Sequence, residues 1–386
     1  MDNLPITTPI TATLLKGAIE LEQTEFGVLP HRLPASARSQ CPDPQLASIE
    51  TEPSGVRLQF RTAATALELD VMPTRRELVG VPPRPKGIYD LCVDGQLVRQ
   101  QSADQAAILR TDMSSGATAR EPGTIQTLRF EGLAGHDKLV DIWLAHNEIV
   151  ALGELHSNAP VRPVADEGRP IWLHHGSSIS HGSNATSPTG IWPVVASRMA
   201  GVDLFNLGLS GNALLDPFVA RTLRDMPADL ISVKIGINLV NADLMRLRAF
   251  APAVHGFLDT LREGHPGTPL LVIAPISCPI HETTPGPSMF DLEALAEDEI
   301  RFQASGRPDE TGAGKLTLTI IREHLQAIVE QRSVGDANIH YLDGRELYGE
   351  QDHARLPLPD RLHPDAHTHL LIGERFAPLL RRQWRR

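Results

Sequence analysis

The chain has 386 residues, 41% hydrophobic and 22% charged, which is ordinary globular usage and excludes a fibrous or wholly disordered protein. That length exceeds what a single core normally holds, so two domains are expected. A formal charge of −11 repels phosphate backbones and anionic lipid, weighing against nucleic-acid or membrane-surface roles; small or neutral molecules are the expected partners, and a homo-oligomer stays open.

The N-terminal stretch MDNLPITTPITATLLKGAIE lacks a basic start followed by a long apolar run, and no window approaches the roughly 18 apolar residues of a spanning helix. A cytoplasmic location is therefore expected. Cys41, Cys92 and Cys278 are scattered without CxxC spacing, which reads as buried thiols in a reducing compartment rather than disulfides or a zinc site.

Between Val56 and Leu152 the hydrophobic pattern alternates with period two in VRLQFR, LELDV, YDLCVDGQLV, TLRF and KLVDIWL, with Asp94-Gly95 as a tight-turn signal. Short strands without a long amphipathic helix predict an antiparallel β-sandwich over residues 1–165. The segment LHSNAPVRPVADEGR, Leu155–Arg169, reads as a polar connection and places the domain boundary near 165/166.

Beyond it the rhythm becomes strand, loop, helix. The strands are IWLHH, VDLFN, DLISVKIG, PLLVIAPI and NIHYLD; helices are predicted near 189–200, 214–224, 250–262 and 316–332, with a closing one after His367. Apolar strands alternating with amphipathic helices predict a three-layer α/β/α domain with a parallel sheet over residues 166–386, and such sheets carry their sites at the carboxyl ends of strands.

One such end is crowded with hydroxyls: HHGSSISHGSN, His174–Asn184, follows the apolar run IWL. A serine nucleophile needs an imidazole base and a carboxylate to orient it, and LPDRLHPDAHTHL supplies Asp360 and His363 three residues apart. A tetrahedral oxyanion needs preorganised donors, for which NLGLSGN offers Asn206, Gly208 and Gly211, and GIN offers Gly236 and Asn238.

Four strand ends thus carry, in order, GSSISHG, NLGLSGN, GIN and DRLH, and from about Trp172 onward the sequence resembles the GDSL, or SGNH, family of serine esterases and acyltransferases. The resemblance implies Ser178 as nucleophile, His363 as general base and Asp360 as its orienting partner. It also implies an oxyanion hole of the Ser178 N–H, Gly211 and Asn238. Ser177 stands where the family usually has aspartate, and Leu239 follows Asn238 where many members have another aspartate, which leaves the local hydrogen bonding open; Ser177 and Ser180 stand as alternative nucleophiles. The GxSxG elbow of ordinary α/β-hydrolases is absent.

A β-sandwich ahead of a GDSL domain resembles the branch acting in tetracycline-type polyketide assembly. That implies an aryl-acyl, salicylyl-type thioester as donor cosubstrate, a polyketide hydroxyl as acceptor, and neither cofactor nor metal. Two alternatives stand beside it: an esterase or deacetylase acting on carbohydrate or other small-molecule esters, and a non-catalytic binding protein of the same fold. For the sandwich itself, glycan binding, a wall of the acyl pocket and dimerisation are all open.

Other features have plainer readings. His363, His367 and His369 are dense enough for a metal cluster but lack HExxH-type spacing, so His367 and His369 are expected behind the site or on a helix face. His174 and His175 continue a strand, His181 is expected to face the cleft, and Trp192 is expected in the core. The run Ser277–Gly312 is longer than a simple connection and reads equally as a lid or substrate wall and as a mobile surface loop.

Overall fold

The computed structural model describes residues 4–165 and 167–383, so Asp166, at the boundary read from the sequence, lies outside the described residues. The chain divides into two compact units. The first runs through Ala35, from Pro42 to Arg169, and through Thr186–Thr189; the second takes Ser36–Cys41, Pro170–Ala185 and the chain from Gly190 on.

The first unit is β-rich, with an eight-stranded and a six-stranded sheet. In the larger sheet the 13-residue strand Ala66–Leu78 pairs antiparallel with Ile149–Ser157 and Gln126–Glu131, and parallel with Ala107–Thr111. The smaller sheet runs in the order Val161–Pro163, Arg57–Thr62, Lys138–Trp143, Ile88–Val93, Gln96–Ser102, with Leu15–Lys16 added on Arg57–Thr62. The alternation seen in the sequence is the pleat: Leu58 and Phe60 join Leu67, Leu69 and Val71 in one core, while Arg57 and Gln59 donate to Asp141 Oδ1 at 3.0 and 2.8 Å. Asp94 and Gly95 take φ of 48° and 78°, the double left-handed conformation of a two-residue hairpin turn, between Ile88–Val93 and Gln96–Ser102.

Several elements lie where no strand or helix was predicted. Strand Ile149–Ser157 runs into the supposed polar connection, and Val161–Pro163 within it pairs with Arg57–Thr62, because edge positions need no apolar alternation. Before Val56 the described residues form four short strands, a single helical turn at Ala35–Arg38 and the helix Pro44–Thr51, capped by Asp43 Oδ1 at 2.7 Å from Leu46 N. Of the three free cysteines, Cys92 and Cys278 are buried as expected, whereas Cys41 is only half-buried.

In the second unit five parallel strands, β1 (Ile171–Gly176), β2 (Asp203–Gly208), β3 (Leu230–Lys234), β4 (Leu270–Ile273) and β5 (Ile339–Leu342), form one sheet in the order 2-1-3-4-5. The helices are α1 (Ser178–His181), α2 (Trp192–Ala200), α3 (Pro217–Asp225), α4 (Ile237–Asn241), α5 (Leu247–Gly264), α6 (Leu318–Ser333) and α7 (Ala366–Gln383), with two short ones, Leu292–Ala296 and Glu350–Arg355, outside this numbering. β1 is covered on both faces: Trp172 packs on Trp192 of α2 and Phe376 of α7, while His175 stacks on Phe257 of α5. A strand buried on both faces is mostly apolar, which is why β1 and β3 open as apolar runs, with the buried polar groups His174, His175 and Ser232 hydrogen-bonded. The strand order reverses direction at β1, so the loops after β1 and β3 leave the sheet side by side and open a crevice. Among the described residues, no helix is long and apolar enough to cross a membrane.

Candidate active site

β1 ends at Gly176 because α1 lies across it: a Cβ there would come within 2.4 Å of Ser180 Oγ. Ser177 is the N-cap of α1, its Oγ accepting from Ile179 N at 3.3 Å and its carbonyl accepting from Ser180 N and His181 N. A capping serine does the work an aspartate would do at that position. Gly182 closes the helix at φ 113°, a conformation that favours glycine. Ser178 is therefore held at the first helical position, 7% exposed.

His363 Nε2 lies 2.9 Å from Ser178 Oγ, and His363 Nδ1 lies 2.7 Å from Asp360 Oδ2. The aspartate is bound on both oxygens. Oδ1 accepts from Leu362 N at 2.9 Å and His363 N at 2.6 Å, while Oδ2 also accepts from Asn184 Nδ2 at 3.0 Å. Burial opposes its charge, but the His363 ring and these donors outweigh burial and hold the carboxyl down at about 2. An ionised Asp360 takes the proton on Nδ1, which leaves Nε2 as acceptor for the Ser178 hydroxyl.

The candidate oxyanion donors separate into two groups. Asn206 and Gly208 are committed to bracing: Asn206 Nδ2 donates to Ser180 O at 2.9 Å, its Oδ1 accepts from Gly208 N at 3.0 Å, and His181 Nδ1 meets Gly208 O at 3.1 Å. Gly236 is the N-cap of α4 at φ 133°, packed under Ile321 and Pro275. By contrast Gly211, at φ 73°, is the third residue of a turn closed by Asn212 N on Leu209 O, and no protein acceptor among the described residues takes its N–H. Asn238 Oδ1 accepts from Ala213 N at 3.1 Å, which ties the second loop to the third and fixes the orientation of the amide.

Asn212 does not cap a helix: its Nδ2 donates to Ser210 O, and α3 starts later, after Asp216. Ser177 and Ser180 are both occupied, the first as cap and the second against His174 Nε2 at 2.7 Å. His174 also meets Ser232 Oγ, and His175 donates to Leu207 O, so both are satisfied in the core, where burial lowers their pKa. His181, expected to face the cleft, is instead buried against Gly208 because α1 folds onto β2. His369 is fully buried, accepting from Trp192 N and donating to Ser183 O, whereas His367 is exposed; with His363 they do not form one cluster. Trp192 is fully buried, as expected.

The run Ser277–Gly312 is an ordered structure with a hairpin, Ser288–Phe290 paired with Phe302–Ala304. Its Phe302 N donates to Asp360 O at 2.9 Å, and the Phe302 ring stands edge-on to the His363 ring at 5.6 Å and 74°. Sequence reasoning assigned no role to Phe302 or Asn184. Asn184 carried a signal, since it follows the nucleophile block and sits at φ 65°, where Asn is the tolerated non-glycine residue.

Residues 169–283 match the GDSL-like Lipase/Acylhydrolase family and residues 13–152 match the N-terminal domain of SsfX3. No curated protein matches. Among solved structures the chain is similar to the salicylyl-acyltransferase SsfX3 from a tetracycline biosynthetic pathway, at 28% identity over 96% of this chain and 95% of that one, with a TM-score of 0.75. A GDSL-like lipase from Bacteroides ovatus shares 19% identity over 98% of both chains, with a TM-score of 0.68, and a family two carbohydrate esterase from Clostridium thermocellum shares 14% over 86% of this chain and 93% of that one, with a TM-score of 0.57; these two show the fold alone. A segment of the second unit thus matches the GDSL-like lipase/acylhydrolases, and it follows a segment that matches the SsfX3 N-terminal domain.

Proposed function

We propose that the chain transfers acyl groups through an ester on Ser178, and that the group is an aryl acid of the salicylyl class moved from a thioester to a hydroxyl of a polyketide-type acceptor. The observation that carries the first part is the unbroken line of contacts from Ser178 Oγ through His363 to an ionised Asp360. The second part is supported by similarity along nearly the whole chain to a salicylyl-acyltransferase.

In the first half-reaction His363 Nε2 takes the proton of Ser178 as Oγ attacks the thioester carbonyl. The oxyanion is met by the N–H groups of Ser178 and Gly211 and by Asn238 Nδ2, and collapse expels the thiol, which leaves with the proton from His363. In the second half-reaction His363 deprotonates the acceptor hydroxyl, which attacks the acyl-serine; collapse breaks the bond to Ser178 Oγ, His363 returns the proton to that oxygen, and the ester is released. Water in place of the alcohol gives hydrolysis with the same groups. Asp360 stays charged throughout and stabilises the imidazolium formed in each half. A reducing compartment such as the cytoplasm is the setting this reading takes for the reaction, and the three free cysteines are in keeping with it.

The test incubates the enzyme with a salicylyl thioester, with and without polycyclic phenol or alcohol acceptors, and follows thiol release together with ester mass. Ser178→Ala should abolish thiol release while leaving the melting temperature nearly unchanged. Thiol release that persists in this variant refutes the acyl-serine. Release that depends on Ser178 but yields only free acid with every acceptor assigns the chain to the hydrolases.

A further inference from the structure

Resting on the acyl-enzyme reading above, the geometry points to Phe302 and Phe290 as the wall that selects a planar aromatic acyl group at Ser178. The two rings are cross-strand partners in the hairpin Ser288–Phe290/Phe302–Ala304 and stack at 5.0 Å and 29°. Both are only half-buried, although Phe302 touches the buried imidazole of His363. An uncovered aromatic pair abutting the catalytic base presents an apolar face beside the reacting atoms.

The hairpin is fastened at both ends of the catalytic apparatus. Phe302 N bonds to Asp360 O, and Asp291, next to Phe290, pairs with Arg361 at 3.1 Å. On the other side Ser288 Oγ lies 3.0 Å from the Asn241 amide of α4, the helix that carries Asn238. A segment tied to the acid loop and to the oxyanion helix is a fixed wall, not a closing lid, and it orients what it touches.

Reach decides the occupant. The contacts from Phe302 to His363 and from His363 to Ser178 place the centre of the Phe302 ring within about 10 Å of Ser178 Oγ. A benzoyl-type ring on that oxygen is centred about 4 Å from it, so a ring turned toward Phe302 comes within the roughly 4.5–7 Å at which aromatic rings engage. An acetyl group carries no ring to engage the wall. The stack of Phe290 on Phe302 holds the second ring in orientation, so both contribute to the preference.

The experiment compares p-nitrophenyl benzoate with p-nitrophenyl acetate, which share a leaving group and differ only in the acyl part. Phe302→Leu and Phe290→Ala should each lower the benzoate-to-acetate ratio of kcat/KM by about three- to tenfold. The ratio separates selection from a mere loosening of His363, which would slow both esters alike. A ratio unchanged in both variants overturns the wall. Wild-type turnover no faster than that of Ser178→Ala overturns the acyl-serine itself, a separate outcome.

Discussion

Replacing Asp360 by Asn tests the roles of carboxylate and imidazole together. The carboxylate accepts two donors on each oxygen: main-chain N–H of Leu362 and His363 on Oδ1, and His363 Nδ1 and Asn184 Nδ2 on Oδ2. An amide must turn its NH2 to one side or the other. Placed at Oδ1, it confronts two main-chain donors and leaves both unsatisfied, at about 1–3 kcal/mol each. Placed at Oδ2, it loses only the Asn184 bond and can donate to His363 Nδ1. That arrangement is favoured, and it forces the ring proton onto Nε2, where it faces Ser178 Oγ and removes the base. The expected loss in kcat/KM is on the order of 10³–10⁴, or about 4–5.5 kcal/mol, since the wrong tautomer and the missing charge act on the same step. Hydrolysis of p-nitrophenyl acetate by Asp360→Asn, with the melting temperature as control, measures it. Activity within tenfold of wild type in a folded protein would refute the claim that Asp360 sets the tautomer.

Three further outcomes follow from the same geometry. Asn238→Ala removes one oxyanion donor and should cost on the order of 10²–10³ in kcat with KM little changed; full activity would take Asn238 out of the hole. In Gly208→Ala the new Cβ would lie 2.4 Å from His181 N and 2.5 Å from Ser180 C, so α1 must shift, with an expected loss of about 1–3 kcal/mol in urea unfolding and a fall in turnover; wild-type values for both would show that the approach of β2 to α1 has slack. His175 and His369 are buried neutral with pKa lowered from 6.5 to about 4, so the stability they support is full above 6.5 and drains as pH falls toward 4; by pH 5 each should cost roughly 2 kcal/mol, and equal urea midpoints at pH 7 and 5 would contradict this.

The parallel sheet was legible because strands buried on both faces leave long apolar runs, and the four blocks were legible because a turn after such a strand needs particular residues. Gly211 and Gly236 sit at positive φ, and Ser177 caps α1, each a local requirement that a sequence displays. What the sequence hides is partnership at long range. Asn206 and Asn238 look alike as side-chain amides at the carboxyl ends of strands, yet one braces α1 through Ser180 O while the other is held by Ala213 N of the preceding loop, a difference fixed by neighbouring loops. Phe302 is hidden for the same reason: its value lies in a main-chain bond to Asp360, 58 residues on, and in a ring contact with His363. The edge strands Val161–Pro163 and Thr118–Glu121 escape notice because an exposed strand has no buried face to mark it.

α1 carries two serine–histidine pairs, Ser178 with His363 at 2.9 Å and Ser180 with His174 at 2.7 Å, so distance does not tell which hydroxyl is activated. The difference lies behind each imidazole. His174 has the Ser232 hydroxyl on its second nitrogen, is closed in by Trp172 and Trp192, and burial above all drives its pKa well down. A ring so reluctant to become cationic cannot accept a serine proton, and no carboxylate answers the charge that would form. His363 has an ionised Asp360 on its second nitrogen, a carboxylate held charged by three further donors besides the ring, and its partner serine retains 7% exposure. On the proposed acyl-serine reading, the choice of nucleophile is therefore written in Asp360 and Asn184 as much as in Ser178, and Ser180, two residues away on the same turn, serves to fix the helix that presents it.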